Sequence, residues 1–335
     1  MMLGKLILKQ IIKSAEADSI SIDYGRCINN TGYEKTCRVC EDVCPEKAIT
    51  KNGFLDPGIC IACNSCSAVC PVQAIYPARS LIDTLDGSMQ SDSENVVISC
   101  SRCGSNCGYY KVDCIGSVAW ELYAALSLSK NIIMQTGVCD TCEKAAVKNL
   151  LTDKLRTFGG DDFWKNKISV VSSSCKGRDR YTRREIFEFA ARKSGRKIKN
   201  ISIMDYKKYS GMPFYRGYLI GKIRKAGEPA HEFNWWIPVF SDKCWGCGLC
   251  ADICPNEAMI KVNEEMYIVP WLCTQCGICE NYCPDGAISG YEKCDFDPLS
   301  QKYIKLNINK VMCSECGHAM RKRKGRYRCL YCGGK

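Results

Sequence analysis

Twenty-eight of the 335 residues are cysteine, about 8%, against two histidines, His231 and His318. Thiolates at short, regular spacing hold metal ions or inorganic clusters, or pair as disulfides. So little imidazole sets aside histidine catalysis, haem and Rieske-type ligation as the main chemistry. Cys244, Cys247, Cys250 and Cys254 form CxxCxxCxxxC before Pro255, and Cys273, Cys276, Cys279 and Cys283 repeat it before Pro284. Cys60, Cys63, Cys66 and Cys70 carry the same spacing before Pro71. Upstream, Cys37, Cys40 and Cys44 precede Pro45, and Cys27 stands for the missing first cysteine across a seven-residue insertion. The repeat extends beyond the thiols: Pro57 and Pro270 precede Cys60 and Cys273 by three positions, and Ala-Ile recurs at 74–75 and 287–288.

Over about residues 20–80 and 240–295 these runs resemble the bacterial two-cluster ferredoxins. In that family three cysteines wrap one 4Fe–4S cube and the fourth, held before a proline, reaches the other. The resemblance implies crossed ligand sets. One N-terminal cube takes Cys27, Cys37, Cys40 and Cys70, and its neighbour takes Cys60, Cys63, Cys66 and Cys44. The C-terminal sets are Cys244, Cys247, Cys250 with Cys283, and Cys273, Cys276, Cys279 with Cys254. Zinc or disulfides are the competing reading.

Residues 91–200 change pattern. Apolar runs predict strands over 95–99, 131–135 and 168–172, with a further strand over 109–113, and helices over 117–130 and 142–158. Such alternation predicts a small parallel α/β layer. Cys100, Cys103, Cys107, Cys114, Cys139, Cys142 and Cys175 all fall where strands end and helices begin, the edge at which open α/β sheets bind ligands. Cys100, Cys103, Cys114, Cys139 and Cys142 form the favoured pool for a fifth centre, Cys107 and Cys175 are more replaceable, and Cys294 has no role. The pair Cys100/Cys103, the segment Val112-Asp113-Cys114-Ile115-Gly116, and Gly137-Val138-Cys139 with Cys142 resemble the small delta subunit linking nickel–iron hydrogenase to heterodisulfide reductase. That resemblance covers about 75 residues and implies a 2Fe–2S or 4Fe–4S cluster exchanging electrons with a partner. Structural zinc or unligated thiols are the alternatives.

In the tail, Cys313, Cys316, Cys329 and Cys332 give two CxxC pairs, each followed by glycine, which suits a tetrahedral metal. The segment resembles a zinc ribbon and, in its knuckles, rubredoxin; its short loop favours zinc over a single iron. The formal charge of +11 suggests nucleic acid. Four cubes with thiolates would remove about 8 of it, and the last 35 residues carry ten Lys/Arg against Glu315 alone. The basic, aromatic stretch 176–235 reads as a helix and connection packing between modules rather than a nucleic-acid surface. Leu3, Leu6, Ile7, Ile11, Ile12 and Ala15 share a helical face, which packs on its own domain or touches a membrane surface. No run reaches the roughly 18 apolar residues of a membrane span, and the start shows no secretory signal. A reducing, cytoplasmic compartment is expected, with membrane association through a partner.

The expected architecture is α+β: two ferredoxin-like dicluster domains flanking a small parallel α/β domain, with a C-terminal zinc ribbon. The divisions are 1–90 (dicluster with its leading helix), 91–180 (α/β), 181–240 (basic linker), 241–300 (dicluster) and 301–335 (ribbon). No GxGxxG after a strand, GxxxxGK[ST], HExxH, GxSxG or adjacent cysteine pair is present. The expected function is electron relay by an iron–sulfur subunit of an anaerobic oxidoreductase complex. The partner is expected to be a hydrogenase, a molybdenum or tungsten enzyme, or a flavin or quinone-linked module. The alternatives are an enzyme with an open iron in the middle domain, and a nucleic-acid-binding protein using ribbon and linker.

Overall fold

The computed structural model describes residues 19–30, 37–50, 53–103, 110–137, 139, 141–159, 166–172, 212–226, 233–308, 310–320 and 328–333. The leading helix expected near residues 3–15, the basic stretch 176–211, the basic cluster 321–324, Cys107 and Cys175 lie outside them.

Strands β1 (Ser21–Ile22) and β2 (Ile75–Tyr76) pair antiparallel and bring the two ends of the N-terminal cysteine region together. Between them stand two one-turn helices, α1 (Val39–Asp42) and α2 (Ser65–Val69). Helix α3 (Arg79–Met89) then buries Leu81, Ile82 and Leu85 on one side. It packs on the strand Tyr110–Val112, where the Tyr110 hydroxyl donates to the Gly87 carbonyl at 3.1 Å.

Strands β3 (Asn95–Cys100), β4 (Tyr110–Val112), β5 (Asn131–Thr136) and β6 (Ile168–Ser172) form one sheet in the order β4-β3-β5-β6, every pair parallel. In β5 Ile132, Met134 and Thr136 are buried while the residues between them are half-exposed, the period-2 signature of a strand with one covered face. The crossovers are helices α4 (Trp120–Ser127) and α5 (Ala145–Gly159). Val147, Leu151, Leu155 and Phe158 form the buried stripe of α5 at helical spacing. All eight residues of α4 are buried, because α4 packs on β5 and also on helix α6 (Phe214–Ala226).

Both middle helices start three residues later than the sequence pattern suggests. Residues 115–117 form a 3-10 turn in which the Ser117 hydroxyl donates to the Cys114 carbonyl at 2.7 Å, and Val118 and Ala119 are extended. Before α5, turns at Cys139–Cys142 and Cys142–Ala145 take up the chain.

The C-terminal region repeats the N-terminal plan on longer strands. β7 (Trp235–Phe240) pairs antiparallel with β10 (Ile288–Cys294) around helices α7 (Leu249–Asp252) and α8 (Ile278–Asn281). β8 (Met259–Val262), β9 (Glu265–Ile268) and β11 (Ile304–Lys305) form an antiparallel sheet in the order β11-β9-β8. A hairpin of β12 (Val311–Met312) and β13 (Ala319–Met320), then α9 (Leu330–Gly333), end the described chain.

One core runs through these parts. Val96, Ile98 and Leu122 of the middle sheet and its helices cluster with Tyr215 and Leu219 of α6, and with Trp235, Trp271 and Phe296 from the C-terminal region. Each such side chain contributes about 1.5–3 kcal/mol by leaving water. A second cluster joins Ile20, Ile28, Val72 and Ile75 to Ile253, just after α7, and to Ile278 of α8, so the two cysteine-rich regions pack directly on each other. The structure is mixed α and β, with one parallel sheet.

Candidate iron–sulfur centres

In the three complete runs the backbone turns left-handed at two fixed places, between first and second and between second and third cysteines. These are Ala62 and Asn64, Gly246 and Gly248, and Gln275 and Gly277, all with φ between 53° and 90°. Such residues fold the CxxCxxC segment into a tight loop with its thiols facing inward. After the fourth cysteine all four runs do the same thing again. Lys47, Gln73, Glu257 and Gly286 sit at φ 51–53°. The next amide then points back at the sulfur: Ala48 donates to Cys44 Sγ at 3.2 Å, Ala74 to Cys70 at 3.3 Å, Ala258 to Cys254 at 3.3 Å and Ala287 to Cys283 at 3.2 Å.

The loops converge crosswise. Cys27, Cys37, Cys40 and Cys70 line one cavity of about 410 Å³, and Cys44, Cys60, Cys63 and Cys66 line another of about 330 Å³. Cys244, Cys247, Cys250 and Cys283 line a third of about 360 Å³, which Cys279 also lines. Cys273, Cys276 and Cys279 each feel the charge of Cys254. The Tyr291 hydroxyl hydrogen-bonds Cys279.

Bare thiolates do not belong in such places. Burial pushes Cys40 up to about 12, with Cys70, Cys37 and Cys27 adding to the shift. It pushes Cys250 up to about 12, with Cys279, Cys247 and Cys244 adding, and Cys273 up to about 12. Four thiolates drawn together out of water are tolerable when a cationic core lies between them. The donor set is therefore one that fits iron–sulfide cubes: four soft sulfurs, buried, with amide N–H groups aimed at them.

The middle sheet builds a fifth convergence at its carboxyl edge. Cys100 ends β3, Cys114 follows β4, and Cys139 and Cys142 follow β5; all four line a cavity of about 420 Å³ with Arg102, Asp113, Lys144 and Lys148. Cys103, the other member of the expected pool, is buried in the hydrophobic core and does not line this cavity. The Gly137 amide donates to Cys100 Sγ at 3.3 Å. A Cβ on Gly137 would stand 2.6 Å from the Arg102 carbonyl oxygen, and backbone cannot retreat as a side chain can. Gly137→Ala is therefore expected to cost about 1–3 kcal/mol of local overpacking. Metal held by the middle thiols should then fall while the other sites keep theirs.

In the tail the sulfurs of Cys313, Cys316, Cys329 and Cys332 all lie within 4.8 Å of one another. The first knuckle is closed by the Gly317 amide donating to the Cys313 carbonyl at 2.9 Å, with Gly317 left-handed at φ 67°. Amides of Cys316 and Cys329 hold the Cys313 thiol down to about 6, which favours the ligating form near neutrality.

Residues 243–288 match the 4Fe-4S dicluster domain family, and residues 54–76 match the 4Fe-4S binding domain family. The chain carries ferredoxin-type 4Fe–4S domains. It is 48% identical over 40 residues to the ferredoxin 7Fe of Hydrogenibacillus schlegelii and 45% identical over 40 residues to a ferredoxin of Alicyclobacillus acidocaldarius subsp. acidocaldarius. Each alignment covers 11% of this chain and 51% of the relative, so the chain spans about half the length of the curated relatives it matches. No solved structure matches the chain. Two ferredoxin-type regions thus lie in an unusually cysteine-rich chain.

Within the N-terminal ferredoxin-type region two cysteines follow the same short turn. Asp23-x-Gly25-x-Cys27 and Asp56-x-Gly58-x-Cys60 fold identically. Each Asp carboxylate accepts from the Gly amide, at 3.0 and 2.9 Å, and each Asp carbonyl from the Cys amide, at 3.2 Å. This DxGxC pair is visible in the sequence and marks Cys27 as the counterpart of Cys60. Asn29 then bridges the insertion, its side chain donating to the Cys37 carbonyl at 2.7 Å and accepting from the Cys37 amide at 3.2 Å.

Proposed function

We propose that the chain is the electron-transfer subunit of a larger cytoplasm-facing oxidoreductase, with four 4Fe–4S clusters on the crossed sets of Cys27 to Cys70 and Cys244 to Cys283. A fifth iron–sulfur centre is held by Cys100, Cys114, Cys139 and Cys142. The divisions at about residues 90, 180, 240 and 300 then separate two dicluster domains, the α/β domain, the connection and a zinc-holding tail.

One observation carries this reading: the cysteine sites adjoin one another across module boundaries. Cys276 packs on the hydrophobic cluster that contains Cys66 and Cys70 and is flanked by Cys27, Cys37 and Cys40. At the same boundary Arg26 donates to buried Asn256 at 2.9 Å, and Asn256 to Thr274 at 2.8 Å, next to Cys273. On the other side α2, which carries Cys66, packs on the 3-10 turn after Cys114. Bound clusters supply reversible one-electron storage. The residues around them hold iron, exclude water and tune potential through amide–sulfur hydrogen bonds. Among the described residues no helix is long and apolar enough to cross a membrane. A catalytic chain of hydrogenase, molybdenum or tungsten, flavin or quinone-linked type is the partner.

Anaerobically purified chain is expected to hold about 16 irons on the four cubes plus those of the middle centre, with matching acid-labile sulfide and EPR signals on reduction. It should co-purify with a larger catalytic chain. Colourless material that holds zinc alone and does not respond to dithionite would falsify the reading. In the tail, Cys332→Ala is expected to remove about one zinc per chain. Visible absorbance should be unchanged, and metal analysis beside the spectrum checks both.

A further inference from the structure

A buried cation stands beside the middle cavity. Lys144 is 7% exposed and lines the middle cavity with Cys100, Cys114, Cys139 and Cys142. Its ammonium is ion-paired to Asp113, the residue before Cys114. The backbone fixes this position. Lys144 immediately precedes α5, whose first turn is approached so closely by Gly116 that a Cβ there would stand 2.5 Å from Val147 and Lys148 backbone atoms. The turn containing Gly116 packs in turn on α2, which begins two residues after Cys63 and carries Cys66. Helix α2 also packs directly on α5, just after Lys144, and the charges of Cys63 and Cys114 both act on the ammonium. Burial alone would push Lys144 down, but Asp113, Cys63 and Cys114 together reverse the direction. The other charges facing the cavity are Lys148 and Arg102. Arg102 is on the solvent side, 54% exposed, paired with Glu143 at 2.5 Å and 3.8 Å from Cys142 Sγ.

We propose that Lys144 is the positioning cation that couples the middle centre to the Cys44, Cys60, Cys63 and Cys66 centre, making this pair the junction between the α/β sheet and the N-terminal ferredoxin-type region. The proposal rests on the reading that both sites hold iron–sulfur clusters. At the junction one electron leaves one centre and enters the other; no bond forms or breaks and no proton moves. A buried ammonium close to both sets favours the more negative, reduced state of each, and so raises both potentials. Asp113 offsets part of that effect. Removing the cation and removing its counter-charge should therefore act in opposite directions on the same two centres.

The test uses the full chain, purified and titrated without oxygen, with the potential of each centre read by EPR. Lys144→Met is expected to lower the middle and the Cys63-containing centres together. The reduced-to-oxidised ratio at a fixed potential should fall about tenfold, or about 59 mV for a one-electron couple. The C-terminal centres should stay in place, and Lys144→Arg should restore both values. Asp113→Asn should raise the same two centres. A shift in one centre alone, or in neither, with wild-type iron content overturns the proposal. If Lys144→Met loses a centre, Asp113→Asn decides: an upward shift of both supports the junction, and no shift or a downward one overturns it. Wild-type chain without iron overturns instead the reading beneath the proposal, so the two failures are distinguishable.

Discussion

A chain carrying Cys70→Ala is expected to lose the centre of the first cysteine run and keep the centre of the run in which Cys70 stands. Cys70 is buried in the cavity lined by Cys27, Cys37 and Cys40, and its charge is among those that push Cys40 upward. Cys44 lies with Cys60, Cys63 and Cys66, and its charge acts on Cys66. The left-handed residues after each fourth cysteine, Lys47 and Gln73, turn the chain away just where the thiol has crossed over. Cys37→Ala and Cys70→Ala should then each cost about four irons per chain, and the double variant should cost no more than either alone. Cys37→Ala with Cys44→Ala should cost about eight, because those two serve different cubes. Ligation run by run reverses the pattern, making the 37/70 pair additive and the 37/44 pair not. Iron per chain, with the EPR spectrum of the reduced protein, separates the outcomes in four preparations.

Local pattern carried most of the elements, and distance in sequence explains what it could not reach. Strands β3, β5 and β6 lie within a residue of the apolar runs that mark them, although only one face of β5 is covered and Val170 and Val171 of β6 are exposed. Helix starts were less legible, because Ser117 and the turns at Cys139 and Cys142 spend their hydrogen bonds on shaping thiol loops before the helix begins. Cys100, Cys114, Cys139 and Cys142 line one cavity, and Cys103 lies beside Cys100 in the same buried cluster, a grouping that spacing alone does not encode. The amides of Ala48, Ala74, Ala258 and Ala287 had a visible signal, alanine four places after every fourth cysteine, whose meaning depends on the positive φ before it. The contacts joining modules had none. Arg26 and Asn256 are 230 residues apart, each at a position that its neighbouring cysteine motif leaves unspecified.

Glu121→Ala is expected to destabilise the holoprotein more than any single core truncation of similar size. Glu121 and Arg216 are 3% and 1% exposed, at the place where the middle domain, helix α6 and the N-terminal region meet. The guanidinium lies 3.2 Å from the carboxylate and over the rings of Trp120, Phe158 and Trp235, at 4.8, 4.6 and 5.7 Å. Gln73 links this pair to the N-terminal ferredoxin-type region. It donates to Glu121 at 2.7 Å and accepts from the amides of Tyr215 and Arg216, at 2.9 and 3.1 Å. The Tyr215 hydroxyl in turn meets Ser67 on α2 at 2.5 Å. Losing the carboxylate leaves a buried guanidinium without its counter-charge, with its Nη1 already lacking a hydrogen-bond partner, and costs about 3–5 kcal/mol. Arg216→Met alone leaves the Glu121 carboxylate with the Gln73 amide and the charge of nearby Lys154, and should cost less. The double variant Glu121→Leu, Arg216→Met removes both charges, keeps most of the volume, and should recover most of that loss. Urea midpoints of the three variants, measured anaerobically by far-ultraviolet circular dichroism, check the ranking. Additive losses in the double variant would show that packing alone, and not the charge pair, holds the junction.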